Sequence, residues 1–194
     1  MSLCKKISLV LIGIFILALI TFLGVFDWLF PKKYVGIHYD EPCLTPTTQK
    51  AVNYSLVHLR VLNASSHAGL GQAVNLALVQ RGFSSHGYDN YDKGNLYNTK
   101  ISFGIKSLNE AYTLATVFDN VVLQMDNRDD ELIDVIVGEN FNDLKPISDE
   151  SQIQYIYSPS NCVDPSKIKT EPALEHTAYY PPKDTSSEDT ASDN

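Results

Sequence analysis

The apolar and polar positions of this chain fall into two regimes. From Ile7 to Phe26 it runs without a charged residue, about the length of apolar chain that crosses a bilayer core as a helix. Beyond that run the apolar residues become periodic. Val57, Leu59 and Val61 alternate with His58 and Arg60, the period-two pattern of a half-buried strand. Leu70, Ala73, Val74, Ala77 and Leu78 then repeat at helical spacing and stop at Gly82, a residue suited to a left-handed helix cap. Phe83 to Tyr88 reads as a returning strand, and Asp89 to Asn98 as an inserted loop. Ile101, Phe103 and Ile105 alternate with Lys100, Ser102 and Gly104 to give another strand. Ser107-Leu108-Asn109-Glu110 has the form of a capping box, opening a helix with Leu108, Ala111, Tyr112 and Ala115 on one face. Val121 to Met125 and Ile133 to Val137 supply two strands flanking an acidic turn. The pattern predicts a small α/β (α+β) domain of order β-α-β-β-α-β-β, a mixed sheet with both helices packed on one face.

The charges around the first regime orient it. Lys5 and Lys6 precede the apolar run and no acid does, so the positive-inside rule keeps the N-terminus cytoplasmic and sends the rest of the chain across. A cleavable signal peptide has a shorter apolar core and a small-residue cleavage site, which this bulkier stretch lacks. The expected organisation is therefore a cytoplasmic tail over residues 1–6, a transmembrane helix over 7–26 and a stalk over 27–54. A folded domain over 55–162 and a disordered acidic tail over 163–194 follow. The tail reading rests on its Ser, Thr, Asp and Pro content, too poor in large apolar residues to offset ordering entropy.

Of the 15 basic residues two lie before the span, whereas all 23 acids follow it. The exported part thus carries 13 basic against 23 acidic residues. Such a balance argues against nucleic acid as a partner, since affinity there rests on Lys and Arg neutralising phosphates. It also argues against lying flat on anionic lipid.

The chain carries little that resembles a reaction centre. The five histidines, His38, His58, His67, His86 and His176, share no short metal-ligand spacing, so no metal or cofactor is expected. Nucleophile-elbow, Walker and dinucleotide glycine patterns do not occur. The run Asp126-Asn127-Arg128-Asp129-Asp130-Glu131 lacks the glycine and ligand spacing of an EF-hand and reads as a solvated turn, with Arg128 pairing to a neighbouring carboxylate. Asn63-Ala64-Ser65 and Asn53-Tyr54-Ser55 match the glycosylation sequon, a short pattern that arises readily by chance. Cys43 and Cys162 bracket the domain on the exported side, where disulfides persist, and are expected to be bridged.

Arg60-Val61-Leu62-Asn63-Ala64-Ser65, Ala68-Gly69-Leu70, Arg81-Gly82-Phe83 and Ile133-Asp134-Val135-Ile136-Val137-Gly138 occur in an ordered series. That series resembles the C-terminal domain of the LytR family, the module that follows the catalytic domain in many envelope glycopolymer ligases. The resemblance spans roughly residues 43–162 and implies a non-catalytic part in cell envelope integrity. Its implied partners are envelope-assembly proteins such as LytR-type ligases, or alternatively wall glycan. Two binding surfaces are candidates: the polar turn through Asp126, Arg128 and Asp130, and the helix N-terminus near Ser65, where free N–H groups suit an anion.

Overall fold

In the computed structural model, residues 40–146 and 154–180 are described, together with Ile12, Ile14, Phe15 and Ala18. Those four N-terminal positions are helical. Among the described residues no helix is long and apolar enough to cross a membrane; the expected span over 7–26 falls almost wholly outside them, as does the tail beyond Tyr180. The chain divides into two units, 1–36 and 37–194, and the second holds the folded domain.

The predicted order β-α-β-β-α-β-β lies within that domain, with one further strand at each end. Strand β1 (Thr48–Lys50) precedes β2 (His58–Asn63), helix α1 (Leu70–Gln80), β3 (Ser84–Asn90) and β4 (Lys100–Phe103). Helix α2 (Leu108–Ala115), β5 (Val122–Met125), β6 (Ile133–Val137) and β7 (Tyr155–Tyr157) complete it. Five strands form a mixed sheet in the order β3-β2-β6-β4-β5, and β1 pairs with β7 in a separate two-stranded sheet. β2 runs parallel to both β3 and β6, while β4 is antiparallel to β6.

Register decides which residues share a face. Leu59 lies opposite Ile133, Val61 and Ile101 opposite Val135, and Phe103 opposite Met125. These side chains and Val57 are 5 % exposed or less and join Val74 and Leu78 of α1 and Ala111 and Leu114 of α2 in one core. Both helices therefore cover the same side. α1 ends as expected at a left-handed glycine, Gly82 with φ 92°.

The second helix starts where the capping box places it, but the box does not form. Ser107 makes no side-chain cap bond, and its buried hydroxyl lacks a partner. Glu110 is instead partly desolvated, which lifts its carboxyl above the ordinary range. Ile105, read as inward on an alternating strand, sits half exposed in a 3-10 turn because the strand ends at Phe103.

The domain extends further at both ends than the pattern indicates. Leu44, placed in the stalk by sequence, is 1 % exposed and belongs to the core. Residues 40–54 are held by β1, by the Pro42–Val163 bridge and by a disulfide joining Cys43 to Cys162. The first part of the expected tail is likewise attached. Residues 168–180 cross the sheet on the side opposite the helices, with Leu174 packed against Leu62, Ala64 and Ile136. This strap is fixed by backbone bonds from Asn127 N–H to Glu171 C=O (3.0 Å) and from Glu131 N–H to Tyr179 C=O (2.9 Å), and by side-chain bonds from Arg60 to the Glu175 carbonyl and from Ala173 N–H to Asn127 Oδ1. Its composition carries no period because its partners are polar groups distant in sequence.

Candidate functional site

The turn after β5 is a buried charge network and not a solvated loop. Asp126, Arg128 and Asp130 are each 5 % exposed or less. The Arg128 guanidinium donates to Asp126 from Nε (2.8 Å) and Nη2 (2.6 Å), to Asp134 from Nη2 (2.8 Å) and to the Leu132 carbonyl from Nη1 (2.8 Å). Asp134, wholly buried in β6, takes its second bond from Arg60 Nε at 2.9 Å, and Ser102 Oγ donates to Asp126 at 2.9 Å. Two acids and two arginines thus share the face under the strap. Burial opposes the charged guanidinium, but the hydrogen bonds and charges of Asp126 and Asp134 outweigh it and raise the Arg128 pKa further. Gly104 makes room for this: a Cβ there would stand 2.5 Å from the Arg128 carbonyl oxygen and 2.6 Å from its Cγ. The sequence assigned Arg128 a carboxylate partner correctly and its exposure wrongly, since a run of charges reads as solvated unless cross-sheet partners such as Asp134 and Arg60 are known.

Asp130 serves the strap. Its carboxylate accepts from Leu132 N–H (2.9 Å) and pairs with His176 Nε2 (2.6 Å), while His176 Nδ1 faces the Leu174 carbonyl at 2.6 Å. Both ring nitrogens thus lie against oxygen atoms, one on the strap and one on the turn. Burial works to raise the Asp130 pKa; the bonds from His176 and Leu132 prevail and hold it below the ordinary carboxylate range.

The turn near Ser65 is closed by the chain itself. Asn63 Oδ1 accepts from the N–H (3.1 Å) and hydroxyl (2.8 Å) of Ser65, and Asn63 Nδ2 donates to the His67 carbonyl at 2.9 Å. The anion expected there is supplied internally. Glu139 accepts from Ser66 N–H (2.9 Å) and Ser66 Oγ (3.0 Å), and also from Asn95 Nδ2 (3.0 Å). Ser65 is therefore a turn former, and Gly71 keeps the helix close to it, since a Cβ there would stand only 3.1 Å from the Asn63 Cβ.

Two features lie outside every sequence expectation. One is a groove of about 500 Å³ between α2, β5 and β7, lined by Glu41, Tyr112, Lys145, Gln154, Tyr155 and Tyr157 among others. Tyr155 and Tyr157 are 58 % and 71 % exposed on its rim, flanking the buried Ile156. Tyr112 donates its hydroxyl to the Pro42 carbonyl at 2.6 Å, and burial pushes its pKa well up. The alternation of β7 is legible in Tyr155-Ile156-Tyr157, but the groove needs α2 and Glu41 beside it. The other feature is a cluster of His58, His86 and Tyr179, brought together from β2, β3 and the strap. Among the described residues no three His, Cys, Asp or Glu side chains converge as a metal-ligand set.

The fold and this inventory define a compact α+β module whose polar clusters are spent on holding the chain together. Residues 56–141 match the family described as LytR cell envelope-related transcriptional attenuator. The match falls on the segment whose motif series resembles the C-terminal domain of that family. Among solved structures, the chain is similar to the soluble domain of a conserved hypothetical secreted protein from Mycobacterium marinum. The two are 25% identical with a TM-score of 0.47, over 50% of this chain and 69% of that one. No curated protein matches the chain.

Proposed function

We propose that this chain is a membrane-anchored, extracytoplasmic, non-catalytic protein that supports cell envelope integrity by scaffolding wall-assembly enzymes, LytR-type ligases among them. The anchor rests on the uncharged run from Ile7 to Phe26 and the lysines before it. The outward placement is supported by the Cys43–Cys162 disulfide, a bond that persists outside the cytoplasm. The observation that carries the scaffold reading is the groove rim. Tyr155 and Tyr157 expose large aromatic surface beside a concavity while the charged clusters are internally satisfied, and tyrosine is enriched where proteins meet. The test is a photo-crosslinking residue in place of Tyr157 in intact cells. An envelope-assembly protein attached at that position supports the scaffold; a crosslink that forms equally from exposed Lys93, on the loop after β3, overturns it.

A second reading, binding of wall glycan, is favoured by the mixed lining of the same groove. Glu41, Lys145 and Gln154 put polar groups beside the tyrosine rings, the few convergent polar contacts on an apolar wall that small-ligand sites use. Sedimentation with purified wall, lost in Tyr155→Ala, separates it from the scaffold, whose partner is retained in detergent extracts free of wall.

A further inference from the structure

His58 opens β2, and His86 lies in the neighbouring parallel strand β3. Their rings approach so that Nδ1 of His58 is 3.2 Å from Nε2 of His86. On the strap, Tyr179 stacks on the His58 ring with centroids 4.0 Å apart, and its hydroxyl lies 3.0 Å from His58 Nε2. We propose that His58 and His86 form a surface site for a divalent transition-metal ion, Cu(II) foremost, and that Tyr179 closes behind it.

The spacing is the first argument. Imidazole nitrogens bind such ions at about 2.0–2.1 Å, so two of them in adjacent coordination positions stand roughly 2.9–3.4 Å apart. The observed 3.2 Å lies inside that interval, and the rings turn to aim both lone pairs at an ion standing off the N···N line in place of the shared hydrogen. The tautomer is the second. With the metal on Nδ1 of His58 the proton resides on Nε2, where Tyr179 Oη accepts it, the outer-shell partner that ligating histidines use. The protein supplies two ligands and water the others, so the order of intrinsic affinities selects Cu(II) over Ni(II) and Zn(II). Because Tyr179 belongs to the strap, ion binding and strap docking reinforce each other. This site is independent of the groove.

The test is Cu(II) titration of the full-length protein in detergent, on a Cys4→Ser background that removes the remaining thiol. Binding is followed by calorimetry and by the nitrogen hyperfine pattern of the bound copper. One equivalent with two-nitrogen ligation is expected. His58→Gln and His86→Gln should each weaken it at least tenfold, and His67→Gln, at the Glu139 turn, should leave it unchanged. Tyr179→Phe should weaken it about tenfold while retaining the two-nitrogen signature. Melting curves without metal confirm that each variant is folded; should a glutamine variant unfold, loss of the two-nitrogen signal on modifying the wild-type histidines decides instead. Copper affinity that survives His58→Gln or His86→Gln, or a signal that follows His67, overturns the proposal.

Discussion

Replacing Arg128 by methionine removes the cation that two buried acids share. Arg128 donates to Asp126 and to Asp134, and its side chain is 1 % exposed. Asp134 keeps Arg60 at 2.9 Å, but Asp126 loses its hydrogen-bonded cation and retains Ser102 Oγ and the residue-128 backbone N–H. Breaking a buried ion pair by deleting one partner costs about 3–5 kcal/mol, because the other charge stays desolvated. For a domain of this size each kcal/mol moves the melting temperature by about 3–5 °C, so a drop of roughly 10–20 °C is expected. Circular dichroism melts of the purified protein read it directly. Lys106→Met is the internal control, since Lys106 and Asp129 form an exposed pair at 2.8 Å, and solvent screening leaves such pairs little effect on stability. A fall of under about 3 °C for Arg128→Met, or one no larger than the control's, would refute the burial argument.

Gly104→Ala should lose about 1–3 kcal/mol through overpacking alone, because Gly104 has an ordinary negative φ of −85° and the clash is with the Arg128 backbone; denaturant midpoints measure it. Reduction should change the gel mobility of the wild type but not of Cys43→Ser, and losing the bridge should cost about 4–5 kcal/mol in the chain-entropy model for a loop this long. Asp130 has a folded pKa below its unfolded value. Its contribution is therefore complete above the unfolded value, near pH 4, and is lost as pH falls through the lower folded value. Amide exchange in residues 171–179 should accelerate in that acid window, and much less so in Asp130→Asn. A reporter fused after Asn194 that is active only outside the cytoplasm should work, and activity of a cytoplasm-only reporter there would reverse the proposed topology.

What was legible in the sequence is what short-range periodicity encodes. The alternation of Val57, Leu59 and Val61, the helical repeat through Val74 and Leu78, and the glycine stop at Gly82 each express one local geometry, and each appears where read. The strand limits Ile133 and Val137 agree with the apolar run that ends at Gly138. Legibility fails where a residue's environment is set by chain far away. The turn from Asp126 to Glu131 is as polar as a solvated loop, and only the register opposing Ser102 to Asp134, with the strap laid over that face, reveals that Asp126, Arg128 and Asp130 are internal. The strap itself is held by hydrogen bonds to backbone and side-chain groups far away in sequence, and such pairings have no sequence signature.

That same contrast bears on where a partner can touch the domain. A surface that works by contact needs groups left over after folding. Asp126, Arg128 and Asp134 have none to spare: each bonds another member of the network or a backbone group, so a substitution there acts on stability and reaches function only through it. Ser66 and Glu139 are likewise engaged with each other. The tyrosines of β7 differ in kind. Their backbone is fixed by β1 and the intervening Ile156 is anchored in the core, yet their rings stand in solvent, where exposed aromatic area is retained at a cost in solubility. A rigid mount under two exposed rings loses little conformational freedom on binding. Tyr155→Ala and Tyr157→Ala should therefore leave the melting temperature within about 2 °C of wild type, since surface changes move stability by about 0.5 kcal/mol, while sensitising cells to wall-targeting antibiotics. Normal drug tolerance in a double variant that is present at wild-type level would remove the groove from consideration.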